Sequence, residues 1–125
     1  MIRETSMEAF RSILPLLSDR RRQVLSVMVE ARRPLCDFQI AQMLRWQINR
    51  VTPRRGELAE LGLLVEDGVR PGPPSNRPVT FWKVAPPTAM LIEQVRSAVK
   101  QKRRQAVQKA LGAAGQQGNL FVRAG

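Results

Sequence analysis

Apolar residues recur three or four positions apart through most of this chain, a spacing that places their side chains on one face of an α-helix. Four such stripes lie between residues 7 and 61, and a fifth lies between residues 91 and 110. In chain order the first four consist of Met7, Phe10, Ile13, Leu14 and Leu17; Val24, Leu25, Met28 and Val29; Ile40, Ala41 and Leu44; and Ile48, Val51, Leu58 and Leu61. Each stripe predicts a helix with one buried face.

Capping residues and prolines set the boundaries of the first two helices. Thr5 and Glu8 form a capping box, so Thr5 is expected to be the N-cap of the first helix. Pro15 should end or kink this helix, because proline has no N–H for a helical hydrogen bond. Ser18 precedes the second helix as its cap, and Pro34 closes it.

The start of the third helix has two interpretations. A thiol accepts hydrogen bonds poorly, so either Cys36 caps this helix weakly or Asp37 takes over the role. Cys36 is the only cysteine, which excludes an internal disulfide and suits a reducing cytoplasm. Near a helix N-terminus it is either a structural residue or a reactive thiol that senses oxidants.

The fourth helix contains Pro53, whose effect depends on where the helix begins. If Asn49 or Thr52 is the N-cap, Pro53 lies in the first turn, where backbone donors are mostly unpaired. If the helix begins at Gln47, Pro53 lies deeper and a kink is expected nearby. The sequence permits both arrangements.

Positive charge is concentrated on this fourth helix and its approach: four arginines and no acidic residue lie between positions 45 and 55. On a wheel of 3.6 residues per turn, Asn49, Arg50 and Thr52 point outward. Arg54 lies at the margin. Arg55 lies on the inward arc, so its guanidinium must reach the edge of the buried face. A short cationic helix of this kind fits the major groove of DNA.

Two strands follow at residues 64–69 and 79–84, because apolar and β-branched residues alternate there. The segment between them is rich in proline and is predicted to be unable to form a tight hairpin. We call residues 64–84 the wing. Its Arg70 and Arg77 are expected to contact phosphates or the minor groove, the alternative being a solvated loop.

A last amphipathic helix is predicted within residues 86–112, and the cationic run 100–104 interrupts its apolar stripe. Residues 86–125 carry +6 of the net charge of +11. This helix is expected to join two subunits, to fold back on the domain formed by residues 1–85, or to lie on nucleic acid. Gly112 and the glycine-rich stretch after it should release residues 113–125 as a flexible tail.

Several strings resemble a known family: Ile40-Ala-x-x-Leu44, Trp46-x-Ile-Asn-Arg-Val-Thr-Pro-Arg54, Gly62-Leu-Leu64 and Asn76-Arg77…Phe81-Trp82. They are similar to the winged helix-turn-helix proteins common in phages and prophages, which are MarR-like in outline. The resemblance covers residues 3 to 84. It implies a mainly α-helical fold with a small β-ribbon, here followed by a C-terminal helix and tail, and it implies duplex DNA binding. It does not imply an operator or a pathway.

The predicted DNA-binding residues are polar or cationic and lie on the fourth helix, on its approach or in the wing. They are Arg45, Gln47, Asn49, Arg50, Thr52, Arg54, Arg55, Arg70 and Arg77. The net charge of +11 favours a polyanionic partner. The two tryptophans are expected to pack inside the protein rather than stack on bases.

The tail contains a second candidate site. The string Gln117-Gly-Asn-Leu-Phe121 resembles the Gln-x-x-Leu-Phe peptide by which bacterial replication and repair proteins bind the sliding clamp. Gln117, Leu120 and Phe121 would make that contact. The alternative is that Leu120 and Phe121 pack on the domain.

Enzymatic function is not expected, and neither is a catalytic residue, a metal or a cofactor. The chain has no histidine and one cysteine, which leaves no set of nitrogen or thiolate ligands for zinc. No glycine-rich phosphate loop or pair of carboxylates stands out either.

Three functions remain open. The leading prediction is a phage or prophage transcriptional regulator. The first alternative is a replication or recombination accessory protein that binds DNA and recruits the clamp, and the second is a phage protein that acts on a host protein. No apolar stretch approaches the ~18 residues of a membrane span, and no signal-peptide core is evident. The bacterial cytoplasm, with the nucleoid when DNA is bound, is the expected location.

Overall fold

The computed structural model describes the backbone of residues 7–124 and the side chains of residues 7–112. Two short 3₁₀ segments, Met7–Phe10 and Leu14–Leu16, precede the helices. The helices and strands then follow in the order α1 (Asp19–Ala31), α2 (Asp37–Leu44), α3 (Ile48–Glu60), β1 (Leu64–Gly72), β2 (Arg77–Val84) and α4 (Ala89–Ala124).

The first predicted helix is wrong in type: the chain forms the two 3₁₀ segments instead. Their hydrogen bonds span three residues, as between Ile13 N–H and Phe10 O at 3.0 Å. Pro15 has no N–H with which to continue an α-helix past residue 14, so the stripe cannot form one uninterrupted α-helix as far as Leu17. The apolar stripe is nevertheless buried, with Phe10 and Ile13 fully enclosed. Thr5, the predicted N-cap, lies outside the described residues.

The caps of α1 and α2 are formed by the residues that precede them. Ser18 accepts a hydrogen bond from Arg21 N–H at 3.4 Å, as its sequence position predicts. Cys36 is the N-cap of α2, and its own N–H donates to Gln39 Oε1 at 3.1 Å. The thiol faces Gln39 N–H as a serine oxygen would, but without the geometry of a hydrogen bond. Cys36 is buried, with 2% of its surface exposed, which favours the structural interpretation.

Helix α3 begins at Ile48 with Gln47 as N-cap, so neither Asn49 nor Thr52 is the cap. Pro53 therefore lies in the second turn, and the carbonyl of Asn49 loses the N–H that would normally reach it. Ile48, which was predicted to point inward, is 47% exposed. Its position in the first turn explains this, because that turn borders the wing rather than the buried core.

The wing forms a tighter hairpin than the sequence predicts. β1 and β2 pair antiparallel from Leu64 opposite Val84 to Gly72 opposite Arg77, and only residues 73–76 connect them. Prolines are tolerated here because each strand of a two-stranded ribbon has a free edge, where a missing N–H breaks no ladder bond. Asn76 closes the turn in the left-handed conformation, at φ 63°, and its N–H donates to Gly72 O at 2.9 Å.

The core lies between α1, α2, α3, the base of the wing and the first turns of α4. Leu35, in the α1–α2 connection, exchanges two backbone hydrogen bonds with Trp82 of β2, at 2.8 and 2.9 Å. Of α4, Val95 and Val99 are buried against this core. Gly62 has φ +88°, and a Cβ there would lie 3.3 Å from Leu91. Glycine thus permits both the turn after α3 and the close approach of α4.

The α4 backbone continues past Gly112 to Ala124, beyond the predicted end of the helix. A single glycine lowers helix stability by only about 1 kcal/mol relative to alanine, which does not oblige a long helix to end. From residue 100 to residue 112 every side chain is exposed. The division of the chain at residues 85 and 112 stays a prediction. No helix in the described part of the chain is both long and apolar enough to cross a membrane.

Helices α1 to α3 with an antiparallel wing after α3 form a winged-helix fold, to which α4 is added. The predicted fold class is therefore confirmed.

Candidate nucleic-acid interface

The first turns of α3 present polar side chains to solvent. Asn49, Arg50 and Thr52 are exposed, as the helical wheel predicts. Asn49 and Arg50 make no side-chain hydrogen bond or ion pair with any described residue, so both remain free to bind a ligand. Thr52 is partly engaged, because its hydroxyl donates to Asp37 at 2.9 Å.

The turn into α3 adds two exposed residues. Arg45 ends α2 in the left-handed conformation, at φ 60°. Its backbone N–H donates to the carbonyl oxygens of Ala41 and Gln42. Gln47, the N-cap of α3, makes no side-chain cap hydrogen bond. Both residues are exposed and lie within three positions of the first residue of α3.

On the side of α3 that faces α1 lies an open hollow of about 320 Å³. We call it the α1-side hollow. It is lined by Arg20, Asn49, Arg50, Pro53 and Arg54. Three guanidinium groups surround it and no carboxylate is among its lining residues, so its electrostatic potential favours an anion. Arg20 comes from α1 and was not among the predicted DNA-binding residues.

Arg54 is held in place by a carboxylate shared between two helices. Its Nη2 donates to Glu57 Oε2 at 3.1 Å. Nε of the same guanidinium lies 3.0 Å from Oε1, an ion-pair contact whose N–H is not aimed at the oxygen. Arg21 of α1 donates to that same Oε1 at 2.8 Å. Glu57 thus joins α1 to α3 and neutralises part of the charge of both arginines.

Arg55 is enclosed, with 16% of its side chain exposed. It donates to both carboxylate oxygens of Asp37, at 2.8 and 2.9 Å, and its guanidinium lies 4.4 Å from the ring centre of Trp82. This arrangement connects α3 to the start of α2 and to β2. Of the four arginines at positions 45, 50, 54 and 55, Arg55 is the one whose donors are most completely used inside the protein.

On the opposite side of α3 a groove of about 480 Å³ separates it from the wing. We call it the wing-side groove. Apolar Phe38, Ile48 and Trp82 line it together with Arg55 and several residues of the wing, among them Arg77. Arg77 is exposed and has no ion-pair partner within residues 7–112. Of the described residues that line the groove, Arg77 is thus the cation without an ion-pair partner.

Arg70 occupies a different position from Arg77. Its guanidinium lies 4.0 Å from the ring centre of Phe81, and Nη1 donates to Asp67 O at 2.7 Å. Cation–π contact and a carbonyl hydrogen bond hold the side chain along the wing. Asp67 accepts from Nη1 and Nη2 of Arg70, at 2.7 and 3.5 Å, so fewer donors remain for a phosphate than on Arg77.

The cationic run of α4 extends from Lys100 to Arg104, and all its side chains are exposed. Nζ of Lys102 lies 3.7 Å from Oε1 of Glu60 in α3. Lys102 and Arg103 also share a surface hollow with Arg21 of α1. This end of α4 therefore borders the same face of the protein as the N-terminus of α1.

The candidate clamp-binding residues Gln117, Leu120 and Phe121 lie outside the residues whose side chains are described. Their role stays a prediction of the sequence. A peptide of residues 115–123 should bind the bacterial sliding clamp with an affinity on the order of micromolar, and a Leu120→Ala, Phe121→Ala version should not. Equal binding of the two peptides in a fluorescence titration would contradict it.

Within residues 7–112 no cluster of acidic or cysteine side chains could hold a metal ion.

No protein-family model matches the sequence, and no curated protein matches it significantly. Among solved structures, a possible transcriptional regulator from Methanosarcina mazei Go1 superposes with a TM-score of 0.52 at 13% identity, covering 86% of each chain. A MarR mutant from E. coli gives a TM-score of 0.48 at 20% identity, covering 85% of this chain and 75% of the other. A MarR-family regulator from Rhodococcus sp. RHA1 gives 0.47 at 16% identity, covering 82% and 69%. The similarity to the Methanosarcina protein shows a shared fold.

Proposed function

We propose that this protein is a transcriptional regulator that binds duplex DNA, with the start of α3 in the major groove and the wing along the neighbouring backbone. One observation carries the proposal. The exposed first turns of α3 hold Asn49 and Arg50, both without partners among the described side chains, and an arginine-bearing concavity lies on each side. The shared fold with a possible transcriptional regulator from Methanosarcina mazei Go1 supports the same function.

Asn49 and Arg50 are the proposed base-reading residues, with Gln47 and Thr52 beside them. Arginine pairs with the O6 and N7 acceptors of guanine, and asparagine with the N6 and N7 positions of adenine. Both residues are at the N-terminal end of α3, the end of a recognition helix that reaches base edges.

Arg45, Arg54 and Arg77 are proposed to contact phosphates; Arg45 and Arg77 are exposed, and Arg54 is half-buried. Arg45 lies at the approach to α3, Arg54 beside the α1-side hollow, and Arg77 at the outer edge of the wing. Arg70 would join them with the N–H groups that Asp67 does not accept from. We propose a different role for Arg55: it fixes the angle between α3 and the wing through Asp37 and Trp82, and so positions both elements on DNA.

The experiment that tests this function is selection of bound sequences from a random pool of DNA duplexes. A regulator should enrich one motif, and the logarithm of its affinity should fall linearly with the logarithm of the salt concentration. An affinity that does not depend on salt would refute DNA binding. Salt-dependent binding without an enriched motif would instead favour the accessory function of the alternative prediction. That the regulator belongs to a phage or prophage rests on the sequence resemblance alone.

We further propose that the regulator is a homodimer joined through α4. Beyond its buried positions at Val95 and Val99, the helix continues with an apolar pair, Val107 and Leu111, that is 57% and 67% exposed. Two apolar side chains four residues apart lie on one face of a helix and suit packing against a second copy. Two half-sites in the selected motif would be expected of such a dimer.

Replacing Val107 and Leu111 by glutamate should convert the protein to a monomer, because the dimer contact would then bury like charges. Sedimentation velocity measures the change: the parent should sediment at twice the chain mass and the variant at the chain mass. Gln101→Glu with Gln105→Glu is the matched control, since both are exposed, four residues apart and equal in added charge. A parent protein that is already monomeric would contradict the proposed dimer.

A further inference from the structure

The three consecutive arginines at the start of α1 have different partners. Arg21 is bound to Glu57, and Arg22 donates to the carbonyl oxygens of Leu14 and Leu17 at 3.2 and 3.0 Å. These two side chains hold α1 against α3 and against the second 3₁₀ segment. Arg20 has no carboxylate or carbonyl partner among the described residues. Within residues 7–112 it contacts the ring of Trp46, whose centre lies 5.6 Å from its guanidinium carbon.

Arg20 is therefore the exposed member of the run, and it lies at the edge of the α1-side hollow. A cation–π contact with an aromatic ring orients a guanidinium while leaving its N–H groups free to donate. Trp46 follows Arg45 in the turn between α2 and α3, so the ring that orients Arg20 belongs to the same turn that leads into α3. The geometry places an oriented cation from α1 beside the start of α3.

A helix in the major groove has a phosphate backbone on each side of it. On one side of α3 the wing-side groove supplies Arg77. On the other side the α1-side hollow supplies Arg20, together with Arg50 and Arg54 of α3. Arg54 is partly neutralised by Glu57, whereas Arg20 and Arg50 make no ion pair with a described residue. The free positive charge of the hollow thus comes from these two residues.

We propose that Arg20 binds one backbone phosphate of duplex DNA in the α1-side hollow, with Trp46 orienting its guanidinium, while Arg50 keeps its proposed contact with a base. The phosphate lies on the side of α3 opposite the wing, so α3 is held from both sides. This inference rests on the proposed function, and it adds a DNA contact from α1 that the resemblance does not supply. It also gives Trp46 a role in DNA binding that needs no stacking on bases.

The test measures the affinity of Arg20→Ala for a selected duplex over a range of salt concentrations. The salt slope is the slope of the logarithm of the affinity against the logarithm of the salt concentration, and one lost phosphate contact should reduce its magnitude by about 0.9. Relative to a 1 M reference, this corresponds to roughly 8-fold weaker binding at about 0.1 M salt. Arg20→Lys should keep most of the slope. Arg33→Ala is the matched control, because Arg33 is exposed, lies just beyond the other end of α1 and carries the same charge. Arg20→Gln serves as a second neutral variant, and thermal unfolding verifies that each variant is folded.

Duplexes with a single neutral methylphosphonate linkage identify the phosphate. At the position of this phosphate, the modified linkage should lower the affinity of the parent protein. The affinity of Arg20→Ala should be the same for the modified and the unmodified duplex, because its contact with this phosphate is already absent. Inorganic phosphate at constant ionic strength should not compete, since the ligand is a DNA phosphate held by the rest of the interface. Competition by phosphate that disappears in Arg20→Ala would show a free-anion site and overturn the assignment to DNA.

Other outcomes separate this inference from the function beneath it. If Arg20→Ala binds like the parent, or no worse than Arg33→Ala, while Arg50→Ala binds weakly, the Arg20 contact is refuted and DNA binding through α3 stands. If neither Arg20→Ala nor Arg50→Ala alters affinity, the proposed DNA interface itself is refuted.

Discussion

Alanine at Arg50 should weaken binding to the preferred duplex by about 1–3 kcal/mol, the range expected for one bidentate contact to a base. Asn49→Ala should have an effect in the same range. Both side chains are exposed on the first turns of α3 and are tied to nothing else in the described part of the chain. The loss should depend on sequence, because a variant that no longer reads a base also discriminates less against the wrong base. Fluorescence anisotropy with the selected duplex and with single-base variants measures both effects.

Arg33→Ala is the control for Arg50→Ala, since it removes the same charge from an exposed position away from α3. It should lower the affinity slightly and equally for all duplexes. If Arg50→Ala behaved in the same way, Arg50 would be a phosphate contact and not a base contact. If Asn49→Ala and Arg50→Ala both bound as tightly as the parent, the assignment of α3 as recognition helix would be wrong.

Alanine at Asp37 should lower the free energy of unfolding by about 2–3 kcal/mol. The Asp37 and Arg55 side chains are 17% and 16% exposed, so removal of the carboxylate leaves a largely enclosed guanidinium without its partner. Breaking a fully buried ion pair costs about 3–5 kcal/mol, and the remaining exposure places this pair below that range. The variant also loses the hydrogen bond from Thr52. Urea denaturation followed by circular dichroism measures the difference.

Glu93→Ala is the matched control for Asp37→Ala. Glu93 forms an ion pair with Arg96 at 3.3 Å, but its side chain is 67% exposed, so its loss should change stability by less than about 1 kcal/mol. Equal effects of the two substitutions would show that the Asp37–Arg55 pair has no special structural role.

Arg55→Ala addresses the role of Arg55 directly. Under conditions where the variant is fully folded, a positioning role predicts that its salt slope is unchanged. A direct phosphate contact predicts that the slope falls by about 0.9. The two roles for this residue are therefore distinguishable in the titration used for Arg20.

The local parts of this fold could be predicted from the sequence. The stripes in α1, α2 and α3 and the alternation in the wing depend on the 3.6- and two-residue periods of the backbone, which each segment carries by itself. Ser18 as a cap and the outward direction of Asn49 and Arg50 follow from the same local geometry. The sequence predictions were wrong in two segments that contain prolines. Pro15 interrupts the segment where one helix was predicted. The prolines of the wing suggested a long loop, but the free edges of the two strands tolerate them.

Only the tertiary structure decided which cations remain free to bind DNA. Along the sequence Arg20, Arg21 and Arg22 are alike, and the helical wheel places Arg55 inward without identifying its partner. Glu57 is 36 residues from Arg21, and Asp37 is 18 residues from Arg55, so no periodicity relates the partners. Packing of α1, α2 and α3 brings those carboxylates to particular guanidinium groups and leaves Arg20 and Arg50 without a carboxylate. The sequence by itself determined the helices, the wing and the total charge. The packing of the helices determined where that charge is neutralised, because these ion pairs join groups that are close in space and distant along the chain.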